Sequence, residues 1–442
     1  MNDWPDYAIW WHVYPLGFTG SPALRPVAGT AVVHRLRQLV DWLDYAVELG
    51  CSGLALGPIF DSHSHGYDTI DHFRIDPRLG DETDFAFLVQ QCRDRGLQVL
   101  LDGVFNHVGV GFQPFQYAMA EGPNSTLANW FHIFWDQPSQ DGLPDYECFE
   151  GNRDLVTLNH GFPAVAAYVA EAMKYWLDRG ASGWRLDAAY AIEPEFWSKV
   201  LPQVRQTHRQ AWFVGEMIHG DYDDYVDRST LDSVTQYELW KALWSSLNDH
   251  NLFELSWALK RHHEFVDHFL PLTFVGNHDV TRIASQLQDP RHLGHALAVL
   301  FTVAGSPSVY YGDEQGMLGV KQDRPGGDDA VRGPYPPTPA ELVDPQWHTY
   351  HLHEELIALR RRHPWLSRAI TDTLLVTNDQ LALQCRARNF ESTASVVVLL
   401  NLADARYRFD LPVSGTVESA NPASQESDPL TVGPEGWKIL AC

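Results

Sequence analysis

The chain has 442 residues, 45% of them apolar, enough for a large α/β core together with a smaller domain. Asp and Glu number 57 against 32 Lys and Arg, and the resulting charge of −25 argues against nucleic acid or an anionic membrane as partner and suits a neutral ligand. The five cysteines (Cys51, Cys92, Cys148, Cys385, Cys442) are scattered, odd in number and lack a C-x-x-C pair, which indicates neither a disulfide framework nor a zinc site; with no membrane-length apolar run and no signal peptide in Met1-Asn2-Asp3-Trp4-Pro5, the expectation is a cytoplasmic protein.

In chain order, Ile9 to Tyr14 reads as a first strand. Thr30 to Leu49 carries helical periodicity (Val33, Leu36, Leu39, Val40, Leu43) and stops at Gly50, a residue common just past helix ends. Ser52 to Ile59 is a second strand, Thr83 to Arg95 a helix closed by Gly96, and Leu97 to Val104 a third strand. The alternation continues with helix Val165–Asp178, strand Gly183–Asp187, helix Pro194–Thr207 and strand Trp212–Glu216. Strand Leu231–Tyr237, a broken helix Glu238–Leu259, strand Leu272–Gly276, helix Leu293–Thr302, strand Ser308–Tyr311 and helix Trp347–Arg361 complete it. Eight strands alternating with helices predict a (β/α)₈ barrel over residues 1–106 and 160–369. Residues 107–159 are too long for a simple connection and predict an insertion domain. From about Ile370 the pattern becomes period-two, which predicts a C-terminal antiparallel β-sandwich over residues 370–442.

The strand Gly183-Trp184-Arg185-Leu186-Asp187 places Arg185 and Asp187 on one face. A cation two residues before a carboxylate favours its ionised form and fixes its orientation, as a carboxylate nucleophile requires; a structural ion pair at a strand end has the same pattern. Barrel enzymes collect their chemistry at the carboxyl ends of the strands. There the chain offers Asp102, Asn106 and His107 after the third strand, Arg185 and Asp187 after the fourth, Glu216 after the fifth, and Asn277, His278 and Asp279 after the seventh. Converging carboxylates and histidines suit acid–base work on a polar ligand, and the 16 tryptophans include candidates for stacking on sugar faces.

Asp102-Gly103-Val104-Phe105-Asn106-His107, Gly183 to Asp187, Val214-Gly215-Glu216 and Phe274-Val275-Gly276-Asn277-His278-Asp279 resemble, in order, four signature regions of glycoside hydrolase family 13, the α-amylase family. Gly305 to Glu314 is similar to its eighth-strand signature. The resemblance implies retaining hydrolysis of α-glucosidic bonds, with Asp187 as nucleophile, Glu216 as general acid/base and Asp279 as stabiliser of the distorted sugar. It further implies that Arg185 orients Asp187, that His107, Asn277 and His278 bind sugar hydroxyls, and that Tyr67 stacks beneath the sugar. Burial beside other carboxylates would hold the Glu216 proton to higher pH while Arg185 keeps Asp187 charged.

The insertion (Phe112 to Phe115, Asn129 to Ile133, Tyr146 to Phe149) is similar to that of the cyclomaltodextrinase, neopullulanase and maltogenic amylase group, which implies short or cyclic maltooligosaccharides as substrates. That group carries an N-terminal β-domain that builds a homodimer and roofs the site, whereas this barrel begins almost at Met1. The group's Val-Ala-Asn-Glu after the nucleophile is Ala188-Ala189-Tyr190-Ala191 here, so Tyr190 would stack on the leaving-group side, and its Met-Pro-Lys-Leu-Asn is Leu155 to Asn159. Enzymes without that domain that open a cyclic maltosyl-maltose fit these departures. An α-glucanotransferase would use the same residues, and a non-catalytic sugar-binding protein is the reading from another class. No cofactor is implied; a structural calcium is the one metal the resemblance admits, at Asn106 with Asp145 and Asp154 as candidate partners. The loop from Lys321 to Pro337, with Asp328, Asp329 and Arg332, is either a site rim or a solvated charged loop.

Overall fold

A computed structural model describes residues 4–25, 31–139, 142–324, 326–388, 394–424 and 426–442. Met1 to Asp3, and Thr30 at which the first helix is expected to begin, lie outside the described residues.

Eight short parallel strands form the centre: β1 Trp10–Val13, β2 Gly53–Leu56, β3 Gln98–Gly103, β4 Gly183–Leu186, β5 Trp212–Gly215, β6 Ser233–Val234, β7 Leu272–Phe274 and β8 Ser306–Tyr310. They are ordered 6-5-4-3-2-1-8-7. A parallel bridge between Thr235 and Leu272 joins the two outer strands and closes the cylinder. Each strand feeds a helix on the outer face, which makes this the (β/α)₈ barrel that the alternation predicts. Pro163 and Pro194 open two of the helices at a position where a missing N–H costs nothing, and Asp81 caps Glu82–Asp94 through a reciprocal bond with Asp84.

Strand alternation sorts the side chains. Trp11, Trp184 and Leu186 point outward into the helix layer, whereas Trp10, Ala55, Leu100, Trp212 and Val214 form a separate apolar cluster inside the barrel. Trp10 and Trp212 stack there (centroids 5.6 Å apart, 13° between planes), and the Trp10 indole N–H donates to Ser306 Oγ at 3.1 Å. Gly53 makes room for this plug: a Cβ at that position would lie 2.4 Å from the Trp10 ring. The interior floor is therefore apolar, and the inward polar residues one step further along (His12, Asp102, Arg185) belong to the opposite, carboxyl end.

Four details differ from the sequence pattern. The first helix is two short pieces, Leu36–Val40 and Leu43–Glu48. The helix is broken as expected, into Tyr237–Asn248 and Leu252–His268, but it runs to His268 rather than Leu259. A helix Tyr222–Ser229 follows β5, and a hairpin, Phe60–Ser62 with Thr69–Ile75, follows β2. Between β3 and its helix the chain forms helix Gln113–Glu121 and two antiparallel ribbons, His107–Gly109 with Leu155–Thr157 and Ile133–Pro138 with Pro144–Tyr146.

The C-terminal region is a five-stranded antiparallel sheet of β9 Ile370–Val376, β10 Gln380–Arg386, β11 Ser395–Asn401, β12 Thr416–Ala420 and β13 Gly436–Ala441, ordered 9-10-11-13-12. A two-stranded ribbon, Tyr407–Arg408 with Thr431–Val432, covers one face over a core of Ala382, Val397, Leu399, Phe409, Val432 and Leu440. Leu381, Leu383, Val396, Val398 and Leu400 on the alternate positions join the main core on the barrel side.

Candidate active site

The carboxyl ends of the strands open into a cleft of about 540 Å³, lined by Tyr67, His107, Asp187, Glu216 and Asp279 together with Phe149, Glu150, Tyr190, Tyr237 and Arg332. Three acidic residues that lie 29 and 63 positions apart along the chain (187, 216, 279) thus share one cavity.

Arg185 is the centre of the charge arrangement. Its Nη1 donates to both Asp102 oxygens (2.7 and 2.6 Å) and to Asp187 Oδ1 (3.2 Å), while its Nη2 pairs with Glu216 Oε1 (2.6 Å). One guanidinium therefore holds the carboxyls of 187 and 216 on the same side of the molecule. The backbone reinforces this proximity. Ala188 sits in the left-handed region (φ 45°, ψ 38°), and its N–H donates to Glu216 Oε2 at 3.0 Å. A non-glycine residue held there carries strain that the packing around it must sustain.

The electrostatics correct one expectation. Arg185 approaches Glu216 and Asp102 more closely than Asp187, so it does not serve Asp187 first. Burial, and next the Glu216 carboxylate, push the Asp187 carboxyl well above the usual range, and Arg185 only partly opposes them. Burial also raises Asp102. Burial thus outweighs the shared cation at both Asp187 and Asp102.

Asp279 is the most open of the three, with 29% of its side chain exposed. Burial alone would raise its carboxyl, but the contacts from His278 Nε2 (2.8 Å) and Arg332 Nη2 (2.6 Å) prevail and hold it well below its ordinary range. The cleft therefore joins an anion held at Asp279 to an Asp187 carboxyl that burial pushes up.

The remaining expected residues fall around these acids. His107 is buried; its Nε2 lies 2.9 Å from the Tyr67 carbonyl, and burial lowers its pKa to about 4, so the ring is neutral. The Tyr67 hydroxyl contacts His278 Nε2 and donates to Asp102 Oδ2 at 3.2 Å. Asn277 reaches no carboxylate directly; its amide donates to the Tyr237 hydroxyl (2.8 Å), which donates to Glu216 Oε1 (3.3 Å). Tyr190 lies on the Glu216 side, its N–H donating to the Glu216 carbonyl at 3.1 Å. Sequence reading did not single out Tyr237 or Glu150, nor His12, which packs under His278 at 5.2 Å. Only Arg332 carried a signal, as a cation in a long Gly- and Pro-rich loop; its guanidinium lies over the rings of Tyr14 (4.9 Å) and Tyr67 (5.7 Å).

Two of the three calcium candidates have protein partners. The Asn106 amide group lies 3.1 Å from His107 Nδ1, and Asp145 is paired with the Arg153 guanidinium, a cation where a calcium site would need another anionic oxygen.

The chain was compared with known proteins. Residues 31–333 match the family described as "Alpha amylase, catalytic domain". The chain is 29% identical over 436 residues to a cyclomaltodextrinase of Geobacillus thermopakistaniensis, covering 93% of this chain and 71% of that protein. It is 33% identical over 308 residues to a cyclomaltodextrinase of Thermoanaerobacter pseudethanolicus, covering 67% of this chain and 53% of that protein. Its fold superposes on the cyclic α-maltosyl-(1→6)-maltose hydrolase of Arthrobacter globiformis in complex with cyclic α-maltosyl-(1→6)-maltose, with a TM-score of 0.83, 24% identity, and coverage of 100% of this chain and 99% of the other.

Proposed function

The chain belongs to the α-amylase family, and on that premise we propose that it is a retaining α-glycoside hydrolase acting on short or cyclic maltooligosaccharides. The observation that carries this reading is the single guanidinium of Arg185 bracketed by the carboxyls of Asp187 and Glu216, with Asp279 lining the same cleft. A double-displacement site needs two carboxyls about 5–5.5 Å apart, and sharing one cation keeps this pair close.

Asp187 attacks the anomeric carbon while Glu216 gives its proton to the departing glycosidic oxygen, leaving a glycosyl ester on Asp187. Glu216 then takes a proton from the incoming water as the ester is hydrolysed. Asp279, held ionised by His278 and Arg332, faces the positive charge that develops on the sugar ring. Neutral His107 and the amide of Asn277 offer hydrogen bonds without adding charge, which suits an uncharged ligand. No helix is long and apolar enough to cross a membrane among the described residues, and all five cysteines are free thiols; a cytoplasmic location fits both.

Incubation with maltotriose, cyclodextrins and cyclic maltosyl-maltose, followed by product chromatography, tests the reading. Maltose and glucose as products support it. Products longer than the substrate redirect it to glucan transfer, and an absence of products on all three removes it.

A further inference from the structure

A second cavity, of about 620 Å³, lies at the end of the barrel away from the cleft. It is bordered by the amino ends of β3 and β4 and by the loop of residues 207–211 that leads into β5. Trp4 and Leu97 give it an apolar wall, and Trp4 is braced edge-on against Trp10 (5.9 Å) and Trp212 (6.3 Å) in the barrel floor. Arg93 reaches the cavity from the last turn of helix Glu82–Asp94. Gly180, at φ 101°, leaves room for it, because a Cβ there would lie 3.1 Å from Arg93 Nη2.

The charges of this cavity set it apart from the rest of the molecule. The chain carries 26 arginines. Among the described residues, the side chains of all but two make a hydrogen bond or ion pair with a protein group. The two without one are Arg93 and Arg209, and both line this cavity. No Asp or Glu lines it among the described residues, although the chain has 57. The nearby Asp178 is paired with His208 (3.1 Å) and is not part of the lining. The cleft is the reverse case, lined by Glu150, Asp187, Glu216, Asp279, Asp328 and Asp329. A small anion is therefore repelled from the cleft and drawn to the opposite end of the barrel.

The donors indicate which anion. A guanidinium presents a planar fork of N–H groups that matches phosphate oxygens in pairs, and two such forks are unengaged here. Gln98 Oε1 accepts from the Ser182 hydroxyl at 2.7 Å, which leaves the Gln98 NH2 group to donate. The cavity is larger than a bare phosphate needs and falls within the roughly 300–1,000 Å³ of small-molecule sites. Its apolar wall offers contact to an organic body. We propose that this cavity binds a small phosphate monoester, with Arg93 and Arg209 holding the phosphoryl group. The site is independent of the hydrolase reading.

Titration calorimetry of the full chain with glucose 6-phosphate and with AMP tests this, with glucose, adenosine and inorganic phosphate as controls. At least one monoester is expected to bind one-to-one and more tightly than inorganic phosphate, and which of the two does so tells whether the body is a sugar or a nucleoside. Glucose and adenosine should give no comparable binding. Arg93→Gln and Arg209→Gln should each weaken the monoester about tenfold or more, the loss of charge-assisted hydrogen bonds. Their unfolding midpoints should match the wild type, because neither side chain has a protein partner to lose. The proposal is overturned by an absence of binding for both monoesters, by affinity within twofold of wild type in either variant, or by inorganic phosphate binding as tightly as the monoester.

Discussion

Replacing Arg185 by Gln removes the one cation shared by three buried acids. At a separation of about 4 Å and an effective dielectric near 20, a charge pair is worth about 4 kcal/mol, equivalent to about three pH units. Arg185 contacts Asp187 at 3.2 Å, and burial and Glu216 already push that carboxyl up, so its loss raises the carboxyl further. The sign is fixed: a higher nucleophile pKa means less ionised Asp187 at a given pH, so the acid limb of kcat/KM moves to higher pH. On the acid side of that limb, where kcat/KM on maltotriose follows the ionised fraction, it should fall by up to about a thousandfold. The assay is kcat/KM on maltotriose between pH 4 and 9 for wild type and Arg185→Gln, with near-UV circular dichroism to confirm that the variant is folded. A folded variant with less than a tenfold loss and an unmoved acid limb would refute the reasoning, because the guanidinium would then not govern ionisation of the nucleophile.

Two further outcomes follow from the fold. His72, His107, His262, His295 and His353 are buried with pKa values lowered to about 4, in each case mainly by burial. Their unfolded value is higher, so the stability they confer is complete above about pH 6.5 and is lost as pH falls through 4, at up to about 3 kcal/mol each. Thermal unfolding should therefore show a midpoint that falls steeply between pH 6.5 and 4, and a flat midpoint across that window would contradict this. Trp10→Ala opens a cavity beneath the site where Trp10 stacks on Trp212, and urea unfolding should register a loss of about 3–5 kcal/mol; a loss under about 1 kcal/mol would mean that the barrel floor collapses to fill the space.

The barrel was legible because its strands are short apolar runs that stop at polar residues, as in Leu100-Leu101-Asp102 and Val214-Gly215-Glu216. Elements that lack this contrast escaped. Helix Tyr222–Ser229 reads Tyr-Asp-Asp-Tyr-Val-Asp-Arg-Ser, with few apolar residues; its start is fixed by the Asp221 side chain accepting from the Asp224 N–H. Strand β12, Thr-Val-Glu-Ser-Ala, is a mostly exposed edge strand, so it has no buried face to mark it. The hairpin after β2 buries Asp61, His72 and Asp76, which read as loop residues until Arg25 and Arg78 are seen to pair with the two aspartates.

The cleft shows the same division. Residues at strand ends are placed by the barrel itself, so the meeting of Asp187, Glu216 and Asp279 in one cleft could be read from position. Tyr237, Glu150 and Arg332 reach the cleft from a helix start, an inserted turn and a distant loop, and no spacing in the chain encodes that meeting. How Arg185 divides itself among its acids was likewise invisible, since the pattern Arg185-Leu186-Asp187 shows only the nearest partner in sequence and not Asp102 or Glu216.

The central claim, that Asp187 forms a covalent bond to the sugar while Glu216 handles protons, can be tested in one experiment. Fluoride departs without acid assistance, so Glu216→Gln mixed with α-maltosyl fluoride should complete the first step and stall at the second, for want of a base to activate water. Mass spectrometry of the quenched, digested protein should then find one maltosyl ester, on the peptide that contains Asp187. Steady release of β-maltose with no ester, or an ester on another carboxylate, would contradict the account.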